Sequence, residues 1–176
     1  GAAAATASAP DDPGISSEER AKVELKAVQS LEDSIPKCEN TFLFKHAADL
    51  GSLTSDGAGD SDAVIERWEG APGLLTKVEG CEAALRELDE AILAAEACAP
   101  NSTGGFRSNA AGNDLRSKAD ALSKSLSGSI ATAQSAAARW EKNAVLGLRD
   151  SIAACKATEM YANMVRSKLG ETKPES

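Results

Sequence analysis

Four cysteines and one histidine are the side chains best suited to chemistry in this 176-residue sequence. The cysteines stand at Cys38, Cys81, Cys98 and Cys155, with no C-x-x-C among them, so their spacing matches no zinc site. An even number permits two disulfides, which would place the chain outside the cytosol. Cys38 and His46, eight residues apart on one helical face, have the residue types of a nucleophile and its base. A reactive thiol must be free, whereas a structural disulfide consumes it, and the second use is the one expected here. Asp56, Asp60 and Asp62 lie in a Gly/Ser-rich stretch, but their spacing is not that of an EF-hand, so a solvated acidic loop is expected. Asn101-Ser102-Thr103 is a glycosylation sequon in a loop, making Asn101 the candidate acceptor. No P-loop, G-x-G-x-x-G, H-E-x-x-H or G-x-S-x-G is present. No catalytic residue, metal ligand or cofactor site is assigned, and the chain is not expected to be an enzyme.

These side chains must be positioned by helices. The pattern gives an all-α chain, an elongated bundle of three main long helices with a thicker head and a thinner stem. A flexible segment over 1–15, a single domain over 16–170 and a flexible tail over 171–176 are expected. Ser16-Ser17-Glu18-Glu19 is a capping box that starts the first helix. Ala21, Leu25, Val28, Leu31 and Ile35 form its apolar stripe, and Pro36 kinks or ends it. Lys37 to Leu50 resumes the helical pattern, with Phe42 and Phe44 in the thickest part of the core. Asp62 to Glu69 gives a short helix, broken by Gly70-Ala71-Pro72-Gly73. A second long helix spans Leu74 to Ala99, striped by Leu75, Val78, Glu82, Leu85, Leu88, Ile92 and Ala95. The third, Asn113 to Leu169, is one helix or two end to end. It would be roughly 85 Å long and is closed by Gly170. Ser127-Gly128 and Gly147 are its expected bends. Trp68 and Trp140 are expected as core plugs.

Helix length ranks the three possible cysteine pairings. Cys81 and Cys98 share one helix about 25 Å apart, too far for a disulfide, which needs Cα atoms within about 7 Å. Pairing Cys98 with Cys155 would require the intervening loop to cover about 63 Å, beyond its extended reach of about 46 Å. The remaining arrangement, Cys38–Cys98 with Cys81–Cys155, sets both pairs level on adjacent continuous helices. It is the expected one, with the first helix on the lower half of the third and the second helix on its upper half.

Composition narrows the partners. The net charge is -8 and the sequence pI about 4.8. That opposes binding to nucleic-acid phosphate or an anionic membrane surface. Only 3% of residues are aromatic, and alanine is unusually abundant. Such a core is thin and closely spaced, so cross-links would matter to it. Neither a signal peptide nor a membrane-spanning run is read in the sequence. An ectodomain lacking both its leader and its anchor is the expectation.

An Ala- and Glu-rich chain with long helices, four spread cysteines, Gly/Ser/Asp loops and a hydrophilic tail resembles trypanosome GPI-anchored surface coat proteins. It is most similar to the glutamic acid/alanine-rich protein of insect-stage parasites. The resemblance covers Ser16 to Leu169 in pattern and rests on composition and architecture. It implies a protective cell-surface glycoprotein packing as rods beside copies of itself or other coat proteins. Contact with the membrane would be only through a C-terminal lipid anchor absent from this chain. Gly51–Ser61 and Gly70–Gly73 would then form the distal antigenic surface. The related haptoglobin–haemoglobin receptor keeps a receptor role open, with Phe42, Phe44 and Trp68 as its patch for a host or vector ligand. A secreted four-cysteine enzyme inhibitor is a further alternative. Its first two cysteines would lie close together, whereas Cys38 and Cys81 are far apart in sequence.

Overall fold

The computed structural model describes residues 16–53, 58–98 and 110–170, and every element among them is a helix. In chain order these are α1 (Ser17–Glu39), α2 (Phe42–Lys45), α3 (Ala47–Ser52), α4 (Ala58–Arg67), α5 (Gly70–Cys98), α6 (Ala110–Lys156) and α7 (Glu159–Lys168). The first helix starts where its capping residues require. Ser16 Oγ accepts from Glu19 N at 3.2 Å, and Ser16 N donates to Glu19 Oε2 at 3.1 Å. Pro36 lies within α1 and does not end it. The helix runs to Glu39, and only the next residues, Asn40 and Thr41, turn the chain. The segment expected as one helix to Leu50 is instead two short pieces, α2 and α3, divided at His46. The third long helix takes the end-to-end form. It runs unbroken through Gly128 and Gly147 and ends at Ala157–Thr158. There Thr158 Oγ1 caps α7 by accepting from Tyr161 N. Gly170 closes α7 at φ +71°, a left-handed angle that glycine adopts without steric cost.

The three longest helices, α1, α5 and α6, pack on one another. Polar contacts fix their directions. Lys37 of α1 meets Glu87 of α5 at 2.6 Å, and Lys77, nearer the start of α5, sits over the ring of Phe42 beyond the end of α1. These two helices are therefore antiparallel. Asp89 accepts from Ser123, Gln134 donates to Glu82, and Trp140 lies against Gly70, so α5 is antiparallel to α6 as well. The inward rows step by three and four: Glu24, Ala27, Leu31, Ser34 and Cys38 on α1, then Ala71, Leu74, Val78, Cys81, Leu85, Leu88, Ala91, Ala95 and Cys98 on α5. On α6 the row is Ala119, Leu122, Leu126, Ile130, Ala133 and Ala137. This is the spacing of knobs-into-holes packing, and the many alanines set the helices close together.

Two expectations about packing are corrected. On α1 the stripe below Leu31 is displaced by one residue, so that Leu25 is 58% exposed and Glu24 only 5%. A heptad that brings Cys38 inward continues to Ala27 and Glu24; Val28 packs at the margin of the core, and Ala21 and Leu25 are exposed. On α6 the two shorter helices do not lean on opposite ends. Both pack along its first part, because α5 begins at the level of Trp140. Among the described residues no helix covers the outer part of α6. Every residue from Glu141 to Met160 is exposed, and among the described elements α7 touches α6 alone.

The α4–α5 junction sets where α5 begins. Glu69 and Gly70 take left-handed angles, φ +68° and +73°, and the chain reverses there. The expected break at Gly70–Gly73 is thus displaced toward Trp68–Glu69. Pro72 sits in the first turn of α5, where a missing N–H costs little. A Cβ on Gly73 would lie 2.1 Å from the Trp68 carbonyl oxygen and 2.7 Å from Glu69 Cβ. Gly80 on α5 has nothing within 4 Å of that position. Gly73→Ala is expected to destabilise the fold by about 1–3 kcal/mol, because backbone must move. Gly80→Ala should instead stabilise it by up to about 1 kcal/mol. Thermal denaturation of the two variants checks both signs.

Candidate functional site

Of the four cysteines, Cys38, Cys81 and Cys98 are buried, Cys155 is exposed, and all four are thiols in this structure. The antiparallel register of α1 and α5 sets Cys38 opposite the segment Cys81–Ala84. Cys38 Sγ donates to the Ala84 carbonyl at 3.3 Å. Thr41, just past the end of α1, donates its hydroxyl to the Cys38 carbonyl at 2.7 Å and is also hydrogen-bonded to the Cys81 sulfur. Burial pushes the Cys38 thiol up to about 11, and the neighbouring Cys81, Asp89, Glu87 and Glu39 push in the same direction. Burial raises the Cys81 thiol as well, opposed in part by the Thr41 hydroxyl.

This geometry departs from the crossed pairing. Cys38 lies against Ala84, one turn beyond Cys81, and not against Cys98, which lies seventeen residues further along α5 than Cys81, about 25 Å away. Cys155 is carried past Trp140 on the bare part of α6, so it has no neighbour on α5. The crossed pairing sets the second helix too high on the third, because it makes a link between Cys81 and Cys155 the measure of that height.

His46 and Cys38 do not form a nucleophile pair. His46 Nδ1 is 2.9 Å from the Phe42 carbonyl and donates to it. Its ring stacks on Phe42 with centroids 3.9 Å apart and packs edge-on to Trp68 at 5.9 Å. Phe42 meets Trp68 edge-on at 5.1 Å, and Lys77 Nζ lies 4.9 Å above the Phe42 ring. A buried thiol held in its protonated form is a poor nucleophile. The aromatic group is a satisfied cluster joining α2, α4 and α5. Of the proposed receptor patch, Trp68 is buried, Phe42 half-buried and only Phe44 open to solvent. Trp140 is half-buried and packs on Gly70 as a plug. Arg139, beside it, donates to the Leu53 carbonyl and ties the end of α3 to α6.

Concavities are shallow. A polar groove of about 310 Å³ runs between α1 and α5, lined by Ser30, Asp33, Ser34, Lys37, Glu87 and Glu90. The Lys37 ammonium there is hydrogen-bonded to Glu87, which raises its pKa. Among the described residues no three His, Cys, Asp or Glu side chains converge on one point, and no helix is long and apolar enough to cross a membrane. Asp60 and Asp62 fall within α4 rather than in a loop, and Asp62 is half-buried there. Asp56, the sequon at Asn101 and the segments 1–15 and 171–176 lie outside the described residues.

Two features of the site are not expected from the sequence. Thr41 bridges Cys38 and Cys81, and Lys77 covers Phe42. The available signal is the heptad itself, since Cys38 and Cys81 both occupy inward rows of their helices. No protein-family model, curated protein or solved structure matches the chain.

The buried thiols give a pH dependence. The unfolded chain releases the Cys38 proton near the ordinary thiol value of 9.0, the folded chain only near 11. The folded state therefore keeps this proton longer. The stability it contributes is intact below pH 9 and is lost as pH rises from 9 to about 11. In the reduced protein, the thermal midpoint of Cys38→Ala should fall less steeply over that interval than that of the wild type. Equal slopes would contradict the assignment.

Proposed function

We propose that this chain is the exposed domain of a lipid-anchored, trypanosome-type surface coat protein that shields a membrane by standing on it as a rod. The observation that carries this reading is the division of α6. Its first part is clasped by α1 and α5, while the sixteen residues Glu141–Lys156 continue bare for about 24 Å. In this reading the bundle is the thick head, and the outer part of α6 with α7 is the thin stem leading to a C-terminal anchor. The sense of the molecule then differs from the one expected from the sequence. The stem leaves from the end that carries α2–α4, so the membrane-distal tip is the opposite end, near Ser16, Cys98 and Asp114.

Three further features support the coat reading. The acidic balance and the paired charges of the bundle face, such as Lys37–Glu87 and Lys118–Glu39, suit close packing without aggregation. Concavities as shallow as the α1–α5 groove suit a shield better than a small-molecule receptor. Val145, Leu148 and Ile152 stand exposed on the stem, where neighbouring rods would cover them laterally.

The test is made on intact source cells. The protein should be labelled by a membrane-impermeant biotin reagent and released by phosphatidylinositol-specific phospholipase C. Recovery only in the soluble intracellular fraction, unlabelled, would overturn the proposal.

A further inference from the structure

We propose that the bare part of α6 is the docking surface for a second copy of this chain, paired with it as a parallel two-stranded coiled coil whose seam is Val145, Leu148, Ile152 and Cys155. The steps between these residues are three, four and three, so they share one line along the helix, at the a and d positions of a heptad. All four are open to solvent, Val145 to 65%, Leu148 to 62% and Ile152 to 46%, with Cys155 exposed beside them. Among the described elements none covers them.

The residue types name the partner. β-branched Val145 and Ile152 at a, with Leu148 at d, are the combination that selects two parallel strands, where each residue meets its own counterpart. Charge selects the same orientation. Lys142, Arg149 and Lys156 form one basic line beside the seam, at the e positions. In an antiparallel pair that line meets itself, Arg149 against Arg149 and Lys142 against Lys156, and the like charges repel. In a parallel pair Arg149 and Lys156 face Ala144 and Ser151, which are small and uncharged. Ser151 donates its hydroxyl to the Gly147 carbonyl of its own helix at 2.9 Å and asks nothing of a neighbour. The preceding d position is Glu141, where two copies would bring carboxylates together. The seam therefore starts at Val145, clear of the bundle that ends at Trp140.

Four layers bury less than the roughly 1,200 Å² of a stable specific interface. The pair is accordingly weak in free solution and fills when copies are held side by side, parallel and level, which raises their effective concentration. A lipid-anchored coat holds them in that way. To this extent the inference rests on the rod reading, and it names the neighbour each rod takes.

The experiment uses the full chain with a C-terminal hexahistidine tag, tethered to phosphatidylcholine vesicles that carry a nickel-chelating lipid. A short-spacer bismaleimide then probes Cys155, the exposed thiol, while Cys38, Cys81 and Cys98 are buried. The wild type should give a covalent dimer joined through Cys155, because a parallel pair sets the two thiols opposite each other. An antiparallel pair would hold them about 15 Å apart along the axis. The double variant Leu148→Asp/Ile152→Asp should lower the yield about tenfold, the equivalent of about 1.4 kcal/mol of association. Its thermal midpoint in dilute solution should stay that of the wild type, since both side chains are exposed in the monomer. No dimer through Cys155, or equal yields from the wild type and the variant, overturns the proposal. The tag supplies the tether, so this result is separate from the labelling and lipase test of the coat reading, and either can fail without the other.

Discussion

Everything else in the molecule depends on the register of α5 against its two neighbours. One helix faces α1 and α6 at once, in opposite chain direction to both. Cys38 against Cys81–Ala84, Lys37 against Glu87, Ser123 against Asp89 and Gln134 against Glu82 all express the same alignment. Sliding α5 by a single turn would break each of these contacts and move large residues such as Leu74 and Leu88 off their facing holes. A core in which leucines interleave with alanines and cysteines tolerates such slippage poorly. It fills only when the helices sit close, and closeness leaves few alternative arrangements. The register also fixes where the bundle stops, because α5 begins at Trp140 and, among the described residues, nothing covers α6 beyond it.

Local rules are legible in the sequence, and long-range alignment is not. Ser16 with Glu19, Gly170 as a left-handed stop and the all-helical class follow from nearest-neighbour chemistry, and the structure has each of them. The start of the α1 stripe departs from the sequence pattern because the more apolar row is not the buried one. Ala21 and Leu25 read as apolar but are exposed, Val28 packs at the margin of the core, and the tie to Cys38 turns Glu24 and Ala27 inward. The cysteine pairing fails for a related reason. Distances along a helix are well determined by rise per residue, but the height of one helix relative to another is a tertiary quantity. The crossed pairing both supplies that height and relies on it.

The breakers behave according to position. Pro36 sits near the C-terminal end of α1, exposed, where the loss of one hydrogen bond does not end the helix. Gly128 and Gly147 lie inside α6 with open space around them, so the helix passes through both. Gly73 is unlike these two. It is needed because the Trp68 carbonyl occupies the place a side chain would take. Composition marks all three glycines alike, and the difference between them is the backbone that happens to approach.

The bare outer part of α6 illustrates how a helix can persist without a partner. A free segment of sixteen residues is marginal in water, because starting a helix is the unfavourable step. Here the start of α5 and the end of α3 hold α6 at Trp140 and Arg139, so the outer segment only needs to propagate from a formed end. Its residues favour this, with alanine at positions 144, 153 and 154 and leucine at 146 and 148. Propagation continues until Thr158 offers its hydroxyl to Tyr161 N and begins a new helix. The exposed Val145, Leu148 and Ile152 therefore do not hold the monomer together. Any stabilisation they give must come from a surface outside this chain, whereas the cysteines of the bundle act wholly within it.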